Sequence, residues 1–231
     1  MSSQPRAVSL DIWGTLLGSD PAFKPERNAL LRGTFAPHCE AAEFDQAMRQ
    51  ADRDADEICM SRGRDVGFAD RVRLTLSRLQ VADACIDAAL SELMEQQAKL
   101  AEAHPPRALH TDLPAIVQRL SERMPVVLTS NTGMLPGVLM RRLLELAGFT
   151  GGLGHVFSDE TGWAKPDGRI FDVSWTWIGE RSREPLTRSD VVHVGDNPRA
   201  DIEGATASGM RAALVAPDGE STLAVLQQIE G

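Results

Sequence analysis

The chain is short of cysteine, of positive charge and of long apolar runs. Its three cysteines, Cys39, Cys59 and Cys85, are odd in number and show neither CxxC nor Cys/His ligand spacing. That pattern argues against a disulfide framework or a zinc site and for reduced thiols. Lys and Arg number 24 against 33 Asp and Glu, a formal net charge of −9. Neither a nucleic-acid backbone nor an anionic membrane surface is therefore an expected partner. No apolar stretch approaches the ~20 residues that a bilayer-spanning helix requires. The opening Met1-Ser2-Ser3-Gln4-Pro5-Arg6 leads straight into a β-prone run with no signal-peptide pattern, so a cytoplasmic location is expected. Internal repeats and low-complexity segments are also missing. What remains, 231 residues with 42% apolar and 25% charged, is ordinary globular composition, enough for one core with a sizeable insertion.

The rhythm of apolar residues changes along the chain. The run Val8-Ser9-Leu10-Asp11-Ile12-Trp13-Gly14-Thr15-Leu16 reads as a buried strand that stops on a carboxylate and turns at once. From Asp20 to about Arg107 no strand is expected. Apolar residues there recur at helical spacing: a helix near Glu26–Phe35, then stripes Phe44, Met48, Ala51, Ala55, Ile58, then Phe68, Val72, Leu76, Leu79, then Ile86, Leu90, Leu93, Gln97, Leu100. Met48, Met60 and Met94 are read as core filler. From Thr111, which can cap a helix through Leu120, helix and strand alternate. Strands are expected at 126–128, 156–157, 191–194 and 212–215, with helices at about 135–147, 168–178 and 199–208. Such alternation predicts an α/β fold: a Rossmann-like, mainly parallel sheet with helices on both faces, plus an inserted helical bundle. The expected division is residues 1–19 and 108–231 as the core, with 20–107 as a cap above the first strand's C-terminal end.

Four segments end core strands or open core loops on polar groups. They are Asp11-Ile12-Trp13-Gly14-Thr15, Thr129-Ser130-Asn131-Thr132, Lys165-Pro166-Asp167-Gly168, and Gly195-Asp196-Asn197-Pro198-Arg199-Ala200-Asp201. An aspartate is a competent nucleophile toward phosphorus, but two anions meet only if a cation lies between them. Asp11 and Asp196 offer the hard oxygens that Mg²⁺ prefers.

In their order and spacing these four segments resemble the motifs of the haloacid dehalogenase (HAD) superfamily, and the insertion after the first resembles that family's helical type 1 cap. The resemblance implies a hydrolase with Asp11 as nucleophile and Mg²⁺ as cofactor. It implies Asp11, Asp196 and the Trp13 carbonyl as metal ligands, with Asp201 supporting the loop or a metal-bound water. Ser130, preferred over Thr129, would hydrogen-bond a phosphoryl oxygen, and Lys165 would neutralise Asp11 and the transferring group. Thr15 and Asn131 are candidate substrate contacts whose competing role is to hold their own loops. The expected substrate is a small anionic metabolite.

One position departs from the family pattern. Family phosphatases usually carry a second Asp two residues after the nucleophile as the general acid and base; here it is Trp13. An indole N–H exchanges no proton at neutral pH, and such help typically contributes ~10²–10⁴-fold. An aspartyl-phosphate route with a good leaving group is the leading expectation. The rival is a 2-haloacid dehalogenase working through an aspartyl ester, against which Asp196 stands, because without a metal it would repel a substrate carboxylate. A third reading is a weakly active or inactive binding protein.

Among the other residues, His193 is read as a satisfied core histidine. The glycine-rich run 148–154 follows a helix and is read as a connection, not a nucleotide loop. Trp163, Trp175 and Trp177 are read as packing residues. Ser61-Arg62-Gly63-Arg64-Asp65-Val66-Gly67 is a glycine-flanked basic turn between two cap helices, and Arg62 or Arg64 is expected to contact an anionic tail of the substrate.

Overall fold

The computed structural model describes residues 4–81 and 86–231, so residues 1–3 and Cys85 lie outside the described residues. The chain opens with β1 (Ala7–Leu10) and β2 (Leu17–Gly18). Four helices follow, α1 (Phe23–Phe35), α2 (Ala41–Arg62), α3 (Phe68–Arg78) and α4 (Ile86–Ala103), then β3 (Arg107–Ala108). Alternation begins with α5 (Leu113–Arg123), β4 (Val126–Ser130), α6 (Gly137–Leu146) and β5 (Gly154–Phe157). It continues through α7 (Ser158–Thr161), α8 (Gly168–Arg181), β6 (Val191–Gly195), α9 (Gly204–Ala207), β7 (Arg211–Leu214) and α10 (Glu220–Glu230). No helix among the described residues is long and apolar enough to cross a membrane.

The main sheet has the order β5-β4-β1-β6-β7, with every neighbouring pair parallel. Alternation along the strands divides their side chains between two layers. Val8, Leu10, Val126, Leu128 and Val194 join apolar residues of α5, α6 and α10 on one face. Ala7, Val127 and Val191 meet Ile170, Phe171 and Ile178 of α8 on the other. Gly154 must lack a side chain because the Trp177 ring occupies the place of a Cβ. The glycine-rich run before it is therefore a connection shaped by packing.

The inserted helices build a core of their own. Leu31, Phe44, Met48, Phe68, Val72, Leu76, Ile86 and Leu93 cluster together, touched from the main body by Met134. Each expected stripe supplies these contacts, although Ile58, Leu79, Leu90 and Leu100 lie at its edge and are only partly buried. The sequence reading missed the antiparallel ribbon of β2 and β3, Leu17 against Ala108 and Gly18 against Arg107. Two-residue strands carry no periodicity to detect. The ribbon brings the insertion's entry and exit side by side.

Several expected boundaries shift. Asp112, not Thr111, occupies the N-cap position of α5, and no side chain caps it. Pro136 delays the start of α6 to Gly137. The helix expected at 199–208 is instead one π-helical turn, Pro198–Glu203, running into α9. Helix α10 was not anticipated, although Leu223, Leu226 and Ile229 line its buried side.

If the insertion has its own core, Phe44→Ala should cost about 3–5 kcal/mol, as for other buried phenylalanines. Hydrogen exchange of this variant should show lost protection in α1–α4 while amides of β1, β4 and β6 stay protected.

Candidate active site

Register brings the polar segments together. β1 is the central strand; Leu10 pairs with Leu128 of β4 on one side and Val194 of β6 on the other. Parallel strands end at the same edge, so the residues just beyond these pairs, Asp11, Ser130 and Asp196, leave the sheet together. That is where open α/β sheets place ligands.

Lys165 ties this edge together. It is 2% exposed, and its Nζ donates to Asp11 Oδ1 at 2.6 Å and to Asp201 Oδ1 at 2.5 Å. Ser130 Oγ donates to the same Asp11 oxygen at 2.9 Å. The Asn131 amide holds the Lys165 main chain from both sides, accepting from its N–H at 2.8 Å and donating to its carbonyl at 3.1 Å. Asn131 is thus committed to positioning Lys165. The π-helical turn carries Asp201 back under the strand end, where Asp201 Oδ2 accepts from Asn197 N at 2.9 Å. π-turns recur at functional sites because they re-aim one side chain. Glycine is required twice: a Cβ at Gly195 would collide with the Asp201 carboxylate, and one at Gly14, whose φ is +75°, with that of Asp196.

His193, buried in β6, belongs to the same network. Its Nε2 lies 3.1 Å from Asp201 Oδ1 and its Nδ1 2.8 Å from Ser9 Oγ. The chain continues from Ser9 to Thr129 at 2.9 Å and on to Ser174 at 2.7 Å. Burial pushes the imidazole pKa down, so the ring is neutral. Placing its proton on Nε2 lets Ser174, Thr129 and Ser9 donate in one direction along the chain and His193 donate to Asp201. The expected satisfied core histidine is found, and it also supports the site.

The electrostatics fit a divalent cation. Burial pushes the Asp11 carboxyl up against the pull of Lys165. For Lys165 burial acts downward, but the charges on Asp11 and Asp201 outweigh it and keep the ammonium protonated. Asp201 is also opposed by burial, yet Lys165 and His193 hold it well below the usual carboxylate range. Burial, then the Asp201 charge, raises Asp196. Asp11, Asp196 and Asp201 each offer an oxygen within 4.8 Å of the others. Three carboxylates against one ammonium leave about two negative charges to compensate, in hard-oxygen surroundings that suit Mg²⁺. Both oxygens of Asp201 are engaged, which suits a supporting role, whereas Asp196 accepts no bond from another described side chain.

These groups open into a cleft of about 330 Å³ whose walls include Trp13, Met60, Asp65 and Arg71. Trp13 and Arg71 also line an adjoining chamber of about 420 Å³ with Lys24 and Arg27. Met60, expected as filler, is a wall residue. Arg62 and Arg64 line neither space: both are exposed, and the Arg64 guanidinium stacks 5.3 Å from the Trp163 ring centre. The arginine that lines both spaces is Arg71, paired with Asp52 at 3.2 Å and Asp56 at 2.8 Å. The sequence reading missed it because it falls within a cap helix stripe, between Phe68 and Val72. Thr15 is fully buried and lines neither the cleft nor the chamber.

Lys165→Met would leave two buried carboxylates without their cation, which costs about 3–5 kcal/mol near neutrality. The sign follows from linkage. The wild-type chain loses the contribution of its depressed Asp201 as pH falls. That loss begins only below the ordinary carboxylate range, whereas in the variant burial without the lysine raises the folded carboxyls, so the variant regains stability at higher pH as they take up protons. Urea unfolding in EDTA should show a gap between the two proteins that is widest at pH 7–8 and narrows toward pH 4.

Comparison with known proteins agrees with this arrangement. A family model described as HAD-hydrolase-like matches residues 163–230. The ribulose-1,5-bisphosphate 5-phosphatase of Halopiger xanaduensis is 28% identical over 225 residues, 93% of this chain and 86% of that protein. The magnesium-bound HAD-hydrolase YfnB of Bacillus subtilis shares the fold at a TM-score of 0.64 and 15% identity, over 92% of this chain and 87% of that one. A 2-haloacid dehalogenase of Pseudomonas syringae does so at 0.64 and 19%, over 98% and 100%. The chain is thus similar to HAD hydrolases in its C-terminal sequence and shares their fold, with its own four helices inserted between β1 and β4.

Proposed function

We propose that this chain is a Mg²⁺-dependent phosphatase of a small phosphorylated metabolite, acting through an aspartyl-phosphate on Asp11. Residues 20–107 act as the cap and residues 1–19 and 108–231 as the catalytic core. The observation that carries this reading is the charge balance at the strand ends: three clustered carboxylates face one ammonium. A substrate anion is repelled there unless a divalent ion is bound.

Asp11 is held for attack by the bonds from Ser130 and Lys165 to one of its oxygens. Ser130, at the strand end, also faces the phosphoryl oxygens, and Lys165 offsets the charge that gathers as the P–O bond to Asp11 forms. Mg²⁺ held by Asp11, Asp196 and the Trp13 carbonyl would supply the positive charge that lets a phosphoryl group approach a carboxylate. Asp201, with His193 and Asn197 behind it, fixes Lys165. The adjoining chamber takes the rest of the substrate, and its Lys24 and Arg27 suit a second anionic group. A sugar phosphate is therefore the favoured class, in keeping with the name of the Halopiger relative.

The dehalogenase reading draws on fold likeness alone, and the acidic cluster opposes it. Assays separate the two. Release of phosphate from p-nitrophenyl phosphate and a panel of sugar phosphates should require Mg²⁺, stop in EDTA and vanish in Asp11→Asn. Halide release from 2-chloropropionate that EDTA leaves untouched would overturn the proposal in favour of the aspartyl-ester route. Silence in both assays, with no Mg²⁺ bound in solution, would favour a binding protein.

A further inference from the structure

The loop joining α2 to α3 is seated on the core by three hydrogen bonds. Gly63 O accepts from Ala164 N at 3.0 Å, Gly162 O accepts from Asp65 N at 3.4 Å, and Asp65 Oδ1 accepts from Ser158 Oγ at 2.6 Å. Gly63 makes the approach possible: its φ is +64°, and a Cβ there would strike Asp167, the N-cap of α8. Seating the loop puts Asp65 in the wall of the cleft that contains Asp11, Lys165 and Asp196.

The neighbouring hydrogen bonds define the state of the Asp65 carboxyl. The Thr132 hydroxyl donates to Asp159 Oδ1 at 2.8 Å and Thr132 N donates to Ser158 Oγ at 2.9 Å. The single hydroxyl hydrogen of Ser158 can go to Thr132 Oγ1 at 3.1 Å or to Asp65 Oδ1 at 2.6 Å, and the shorter contact assigns it to Asp65. Oδ1 is then an acceptor, and a proton on Asp65 resides on Oδ2.

We propose that Asp65 is the acid–base catalyst of this active site, delivered by the seated cap loop to do what Trp13 cannot. The proposal rests on the phosphatase reading. In the first step an Asp11 oxygen bonds to phosphorus, the bond from phosphorus to the leaving oxygen breaks, and the Asp65 proton moves to that oxygen. In the second, Asp65 takes a proton from the water that attacks phosphorus, the bond to Asp11 breaks, and phosphate leaves. Net, one ester and one water give one alcohol and one phosphate, and Asp65 returns protonated.

The surroundings favour this task. Burial pushes the Asp65 carboxyl up; the Ser158 hydrogen bond opposes that, the Asp159 charge adds to it, and Arg71 and Asp70 pull in opposite directions. An acid raised toward the working pH gives up its proton where proton transfer is most effective. Asp56 and Arg71 from the inserted helices and Asp11, Lys165, Asp196 and Asp201 from the core are the other charged groups of the cleft wall.

The test is Asp65→Asn, which keeps an oxygen for Ser158 but carries no transferable proton. With Mg²⁺ present, turnover of alkyl phosphates should fall ~10²–10⁴-fold, the usual worth of general acid–base help. p-Nitrophenolate needs no proton to leave, so the variant should still release a rapid single-turnover burst of it, followed by slow hydrolysis. Asp65→Glu should recover part of the alkyl-phosphate activity. Gly63→Ala, which unseats the loop but keeps Asp65, should show the same leaving-group dependence. Unchanged alkyl-phosphate turnover in Asp65→Asn, or equal loss on both substrate types with no burst, would overturn the role of Asp65 and leave the phosphatase reading standing. A wild-type protein inert to every phosphate ester would overturn both.

Discussion

An ammonium buried between two carboxylates is the constraint that organises this molecule. Lys165 cannot be dry and charged without both Asp11 and Asp201, and neither acid tolerates burial without it. Meeting that condition recruits segments far apart in the chain. β1 supplies one carboxylate, a π-helical turn after β6 supplies the other, and the loop after β4 sends Asn131 to grip the lysine main chain. Two glycines yield space to the acids. Even the polar line beneath the sheet, from Ser174 to His193, ends by supporting Asp201. Lys165, Asp11 and Asp201 are thereby satisfied by one another.

In the proposed function, reactivity and selection fall to two separate cores. Every group that touches the Asp11 carboxylate belongs to the sheet and its loops, whereas Lys24, Arg27 and Arg71 belong to helices that pack chiefly among themselves. Trp13 stands on the boundary and lines both chambers.

The sheet was legible because its strands are short apolar runs that stop on polar residues, and a buried parallel strand has few other ways to be written. Asp11, Ser130, Lys165 and Asp196 stood out for the same reason, each at the end of such a run or the head of a helix. The pairing of His193 with Asp201 was not legible, since it depends on a π-turn that helix periodicity does not announce. The charge of Arg62 and Arg64 suggests an anion contact, yet exposed arginines are what a solvated turn displays, while Asp65 beside them lines the cleft. A five-residue loop has no repeat from which inside and outside could be told. Arg71 was hidden by the opposite fault: it sits among apolar residues of a helix stripe, and nothing in the stripe marks one buried guanidinium as a wall of the cleft. The spacing of Leu223, Leu226 and Ile229 did encode α10.

The paired strands β2 and β3 fasten the four helices at two adjacent points. An inserted segment whose two ends meet in a ladder of backbone groups can change its length and side chains between them without moving the sheet to which it is joined.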